Sequence, residues 1–206
     1  MRVDVTHVSK AYGRAEVLRH VSVRILANRM TALTGPSGSG KSTLLSLIGG
    51  AAAPDAGEIL LGPGLRPDPA LVAWVPQGAN ALTHRTALDN AAIGALAAGH
   101  SLDEAHRRAH DALELVGLSH IAGRVAKQLS GGELQRVSFA RALCADRELI
   151  LADEPTANLD QRNTLRVAEL LTRLGRRATV IVAAHDPILV EAADEVVDLR
   201  SLNAAS

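Results

Sequence analysis

The chain has 206 residues, 22 Lys plus Arg against 22 Asp plus Glu, a single cysteine and only 1% aromatic residues. That length suits one domain around one core, the balanced charge excludes the basic field behind non-specific nucleic-acid binding, and the dearth of rings excludes a stacking platform for single strands. The lone Cys144 excludes an internal disulfide and no apolar run approaches a bilayer's thickness, so a soluble chain in a reducing compartment is expected.

Arg2 to Val8 and Val17 to Leu26 alternate polar with apolar, often β-branched residues, which predicts two antiparallel strands turning around Tyr12 and Gly13. Met30 to Thr34 is a short apolar run leading straight into glycines, and Lys41 to Ile48 reads as a helix. Gly57 to Leu61 and Leu71 to Val75 are further strands, separated by a Gly/Pro-rich turn from Gly62 to Pro69. Between Thr86 and Lys127 strand signals stop. There Ser101 with Glu104 predicts a capping box, Ala109, Ala112, Leu113 and Val116 recur at helical spacing, and Gly117 stands where a helix would end. The block predicts an amphipathic helical lobe, with Arg107 and Arg108 on a solvated face and His106 and His110 on its surface.

After Leu129 an apparent helix carries Gln135, Arg136, Phe139 and Ala142, and Cys144 near its end is expected to pack as a small hydrophobe. From Glu148 the order is strand to Ala152, helix from Gln161 to Leu174, strand Ala178 to Ala183, helix, then strand Glu195 to Leu199. Such alternation predicts an α/β fold, a parallel sheet with helices on both faces.

Gly35-Pro36-Ser37-Gly38-Ser39-Gly40-Lys41-Ser42 fits G-x-x-x-x-G-K-[ST] between a strand and a helix, the context that makes it a phosphate loop. Glycines let successive N–H groups converge on phosphate oxygens, and the helix adds its positive end. From Gly35 to Thr43 the loop is therefore read as a site for ATP with Mg²⁺: Lys41 reaches the β- and γ-phosphates and the Ser42 hydroxyl ligates the metal. Leu149 to Ala152 is an apolar strand ending in Asp153-Glu154. Alone such a pair is as often a cap or a solvated turn; beside a phosphate loop, Asp153 suits Mg²⁺ and Glu154 suits polarising the attacking water. Leu129-Ser130-Gly131-Gly132-Glu133 opens a second helix whose glycines permit close backbone approach, a second phosphate grip. A compact domain rarely needs two grips for one ATP, which points to another molecule's nucleotide.

With a glutamine at Gln77 after Trp74-Val75-Pro76, and His185 within Ala184-His185-Asp186, these elements stand in the order found in ABC transporter nucleotide-binding subunits, and the chain resembles that family from Arg2 to about Leu199. The resemblance implies an α/β P-loop NTPase of ABC type: a mixed or parallel sheet core with an antiparallel β edge, an ATP-binding core at 1–85 and 129–206, and an inserted helical lobe at 86–128. It implies that Tyr12 stacks on adenine, that Gln77 senses the γ-phosphate and Mg²⁺ and couples the site to a membrane permease, and that His185 holds the γ-phosphate. It further implies a head-to-tail pair of ATPase subunits in which Ser130, Gly131, Gly132 and Glu133 meet the nucleotide of the other chain, with Asp160 also counted among the nucleotide-binding residues.

Asn158-Leu159-Asp160 resembles the branch of lipoprotein-releasing and macrolide-type exporters. An exporter's ATPase on the cytoplasmic face of the membrane, with no nucleic-acid partner, is the leading expectation; an importer subunit or a soluble non-transport ATPase is the alternative. Glu133 stands where the signature often has Gln, and the link from Gly62 to Pro69 is short for the family.

Overall fold

In a computed structural model, which describes residues 1–206 except Ala79, Asn158, Ala205 and Ser206, the strands in chain order are β1 (Val3–Tyr12), β2 (Ala15–Ile25), β3 (Met30–Thr34), β4 (Ala56–Leu61), β5 (Val72–Val75), β6 (Leu149–Asp153), β7 (Thr179–Ala183) and β8 (Glu195–Asp198). The helices are α1 (Lys41–Ile48), α2 (Ala87–Ala97), α3 (Leu102–Leu115), α4 (Gly131–Cys144), α5 (Gln161–Gly175), α6 (Pro187–Ala192) and α7 (Leu199–Ala204).

Two sheets form. β2, β1 and β4 make an antiparallel sheet, and β5-β6-β7-β3-β8 make a wholly parallel one. The patterning explains the division. β6 and β7 are apolar runs buried at every position, as strands covered on both faces must be, whereas β1 buries Val3, Val5 and Val8 and leaves Thr6 and His7 exposed. α1 lies between the sheets: Leu44, Leu45, Leu47 and Ile48 pack with Val5, Leu18 and Ile25 on one side and with Leu149, Leu151 and Ile181 on the other. The opposite face of the parallel sheet, through Ile150, Ala152, Val180 and Val182, joins the apolar faces of α5 and the helical region in a second cluster. In the order β6-β7-β3, three strand ends lie side by side, so the turns after Asp153, Ala183 and Thr34 share one edge.

Several local expectations change. The antiparallel edge expected of the first two strands is present as a sheet of its own that β4 completes, while Tyr12 ends β1, leaving Gly13 and Arg14 as the turn. Only half of the Ser101 box forms: Ser101 Oγ accepts from the Glu104 N–H at 3.4 Å, while the Glu104 carboxylate pairs with Arg107 and Arg108. Reciprocal boxes occur instead at Thr86 with Asp89 and at Ser130 with Glu133. Arg108 is half-buried and also reaches Asp146 at 3.4 Å, and His106 Nε2 lies 3.3 Å from Asp89, so both tie α3 to neighbouring elements rather than facing water alone. Cys144 is buried on α4, as its setting foretold. The last helix, α7, carried no sequence signal that separated it from the end of β8.

Candidate phosphate-binding site

The loop between β3 and α1 depends on backbone that only glycine adopts freely. Gly35, Gly38 and Gly40 have φ of 139°, 80° and 96°, and a Cβ on Gly35 would stand 2.7 Å from Ser39 Oγ. No side chain caps α1, whose N-cap is Gly40, so the amides of its first turn point outward unclaimed. An anion is the natural complement of that helix end. Among the described residues Ser39 Oγ is buried without a hydrogen-bond partner, a second group in the loop that an incoming oxygen or water would satisfy. Lys41 is only 7% exposed, and its Nζ donates to the Gly35 and Pro36 carbonyls at 2.9 and 3.2 Å. Its charge is thus held inside the loop it is to serve.

Ser42 Oγ donates to Asp153 Oδ1 at 3.0 Å, joining the start of α1 to the end of β6. A hydroxyl and a carboxylate so placed fit a small hard cation such as Mg²⁺. Among the described residues no group of three or more His, Cys, Asp or Glu side chains converges, so such an ion would complete its shell with phosphate oxygens and water. Glu154 follows with φ 45°, a left-handed turn pinned by its N–H donating to the Ala183 carbonyl at 2.9 Å. Its side chain is 15% exposed, and Oε2 lies 2.7 Å from His185 Nδ1.

These groups share one cavity of about 680 Å³, lined by the loop from Gly35 to Gly38, Gly40, Lys41, Ser42 and Thr43 together with Val17, Gln77, Glu154 and His185. Gln77 and His185, far apart in sequence, therefore meet at the loop. Val17 was not foreseen; nothing separates it from the other alternating apolar residues of β2.

Other expected residues lie elsewhere in the chain. Tyr12 does not line the cavity; it is 54% exposed, with Lys10 Nζ 5.6 Å from its ring centre. Ser130, Gly131, Gly132 and Glu133 are also absent from the lining. Ser130 N-caps α4, and its N–H and Oγ each donate to Glu133 Oε2 at 2.8 Å. The backbone N–H of Ser130 holds the Glu133 carboxyl below its ordinary value, so glutamate serves here as a capping partner. A Cβ on Gly131 would meet nothing within 4 Å, so the turn presents open backbone; one on Gly132 would meet Leu159 at 3.1 Å. Asp160 N-caps α5 by accepting from the Asn163 N–H at 2.8 Å and does not reach the cavity. Asn158, used above as a mark of one branch, lies outside the described residues.

A glycine loop at a sheet's carboxyl edge, a buried lysine and a serine–aspartate pair define a phosphate-loop nucleoside triphosphatase. Residues 18–157 match the family described as ABC transporter, and the chain belongs to that family: it is an ATP-binding, ATP-hydrolysing subunit. It is 37% identical to the lipoprotein-releasing system ATP-binding protein LolD of Bordetella pertussis (strain Tohama I), over 97% of this chain and 93% of that protein. With the cell division ATP-binding protein FtsE of Escherichia coli (strain K12) it shares 42% identity, over 89% of this chain and 88% of that one. A dimeric ATP-binding cassette in a post-hydrolysis state with ADP and Pi superimposes with a TM-score of 0.86 at 30% identity, covering 95% of this chain and 93% of the other. Among the described residues no helix is long and apolar enough to cross a membrane.

Proposed function

We propose that two copies of this chain, or this chain and a close homologue, close head to tail on two ATP molecules and so drive a separate integral-membrane permease. The observation that carries the reading is the separation of two phosphate grips: the loop cavity is complete in Lys41, Ser42, Gln77, Glu154 and His185, yet the open backbone at Ser130 to Gly132 lines no part of it. In this arrangement the second grip serves a nucleotide held by the partner, and the dimeric neighbour bound to ADP and Pi is consistent with it.

Within each site the amides of Gly38 to Ser42 receive the phosphate oxygens, and Lys41 exchanges its two carbonyl contacts for the β- and γ-phosphates. Ser42 and Asp153 would hold Mg²⁺, which when bound would supply neutralisation of the phosphate charge. Glu154 accepts a proton from the attacking water, and His185, already 2.7 Å from that carboxylate, orients the pair toward the γ-phosphate. Tyr12, outside the loop cavity, stacks on adenine, and Gln77 completes the contacts within it; Asp160, which caps α5, stands apart from that cavity. The ATP-binding core comprises 1–85 and 129–206, with the lobe at 86–128 inserted between them. Membrane attachment is then peripheral, on the cytoplasmic face, and likeness to a lipoprotein-releasing ATPase favours outward transport.

The test mixes Ser130→Arg chains with Glu154→Gln chains. ATP-dependent pairing should fall when the signature turn is blocked; pairing indifferent to Ser130→Arg overturns the composite site. Co-purification of a permease from membranes tests the second half. The 42% identity to a cell division ATP-binding protein favours a second reading, in which the membrane partner serves division; ATPase stimulation by a transported molecule would exclude it.

A further inference from the structure

The edge strand β2 and the phosphate loop meet at one side chain of α7. That helix is seated by Leu199, which is fully buried, and by Asp198, whose Oδ1 accepts from the Arg200 N–H at 3.0 Å and whose carbonyl accepts from Ser201 Oγ at 2.7 Å. From this seat Asn203 turns its amide onto β2. Its Oδ1 accepts from the Arg19 N–H at 3.0 Å, and its Nδ2 donates to the Val17 carbonyl at 3.4 Å. Since β2 is the outer strand of its sheet, with β1 on one side only, the side-chain amide stands where a further strand would pair. The same Nδ2 also donates to the carbonyl of Ser39, in the phosphate loop, at 3.3 Å.

Ser39 stands between Gly38 and Gly40, two residues whose backbone turns freely. Among the described residues no backbone N–H donates to the Ser39 carbonyl, so Asn203 is the group that fixes the plane of the Ser39–Gly40 peptide from that side. In a trans peptide the N–H lies opposite the C=O, and no cis peptide occurs among the described residues. Holding the Ser39 carbonyl toward α7 therefore aims the Gly40 N–H the other way, and Gly40 lines the cavity. β2 stands close by: a Cβ on Gly40 would come within 3.1 Å of the Val17 carbonyl, and Val17 lines the same cavity. Asparagine suits this junction because its amide offers an acceptor and two donors at once, which here serve one N–H and two carbonyls. Alanine offers none of these, and aspartate accepts but cannot donate.

We infer that Asn203 is a positioning residue for the nucleotide: by tying the Ser39 carbonyl to β2, it holds the Gly40 N–H turned toward the phosphates before ATP arrives. The inference rests on the reading that the amides of Gly38 to Ser42 receive phosphate oxygens, and needs neither the second subunit nor the permease. With the tie removed, the Ser39–Gly40 peptide samples other orientations, and apparent affinity falls in proportion to the time the competent one is lost. Once bound, the phosphates hold the same N–H themselves, so turnover at saturating ATP is kept.

The full chain is titrated with a fluorescent ATP analogue and Mg²⁺, and ATP hydrolysis is followed at one fixed, high chain concentration. Asn203→Ala should weaken binding and raise KM about threefold to tenfold with kcat unchanged, as the loss of one or two neutral hydrogen bonds warrants. Asn203→Asp separates the bonds: it keeps an acceptor for the Arg19 N–H, loses both donations, and should lose at least as much affinity as Asn203→Ala. Parent-like binding by either variant overturns the inference, as does a fall in kcat with KM unmoved. A lower melting temperature without nucleotide, with affinity and KM at parent values, reduces Asn203 to a structural role and overturns it too. Should Asn203→Ala fail to fold, Asn203→Asp is judged by the same readings. Lys41→Ala is titrated alongside. Parent-like binding by that variant removes the phosphate-loop reading and this inference with it, whereas weak binding by Lys41→Ala beside parent-like binding by the Asn203 variants overturns the role of Asn203 alone.

Discussion

Lys41 is buried at the start of α1 with its ammonium spread over two carbonyls of its own loop, a geometry that a neutral side chain cannot supply. Lys41→Ala should weaken ATP binding about 10- to 100-fold, since hydrogen bonds to charged groups contribute about 1.5–3 kcal/mol; titration of a fluorescent ATP analogue measures it. Glu154→Gln keeps the size of the side chain and its polar contact with His185 but removes the proton acceptor. Turnover should drop by about 10²–10⁴-fold with ATP affinity retained, read as phosphate release against nucleotide binding. At Cys144, burial pushes the thiol up to about 11, so the thiolate is scarce at neutral pH. A maleimide should leave folded protein unlabelled and react only with denatured chain; fast labelling of the native state would show that this face of α4 opens. Glu133 has a folded pKa below its ordinary 4.5, so its contribution is present above that value and is lost as pH falls through the lower, folded one. Glu133→Gln should match the parent at neutral pH, because glutamine also closes a capping box, and melting curves of the two should diverge only on acidification.

Among the elements, α2 and α4 are held closest. Gly94 is an unfavourable residue for a helix interior, and its presence is explained by the Arg141 carbonyl lying where a Cβ would be. Gly94→Ala should destabilise by about 1–3 kcal/mol through overpacking, a fall of roughly 2–4 °C in Tm per kcal/mol for a chain of this size. Calorimetry decides, and an unchanged melting point would mean that the crossing can relax. Such contacts mark the limit of reading a sequence. The alternation of β1, the apolar runs of β6 and β7 and the glycines of the phosphate loop are local patterns, and each became the element it suggested. Glu104 was read as a capping partner because the spacing is right, but Arg107 and Arg108, one turn on, compete for the same carboxylate. His106 and Arg141 gave no signal at all, since Asp89 and Asn80 reach them only after the lobe has packed.

For the whole molecule, the parallel order β5-β6-β7-β3 brings four strand ends side by side, and with them Gln77, Glu154, His185 and the phosphate loop that the family resemblance had grouped. What order could not reveal is that Val17 of the antiparallel sheet would line the cavity, or that Tyr12 and Asp160 would stand outside it. Sheet pairing and helix capping decide those placements. The separate antiparallel sheet leans on α1 through Leu18, and a Cβ on Gly40 would stand 2.7 Å from that side chain, so the phosphate loop is wedged between the two sheets.

The separation of the loop cavity from the Ser130 turn has a kinetic consequence. If neither copy completes a site alone, dilute chain hydrolyses ATP with a rate that rises as the square of its concentration, and specific activity falls toward zero on dilution. A permease that seats two copies side by side replaces that bimolecular encounter with an effective concentration on the order of millimolar. On the proposed head-to-tail arrangement, free copies would hold ATP without hydrolysing it, and turnover would be confined to copies seated in pairs.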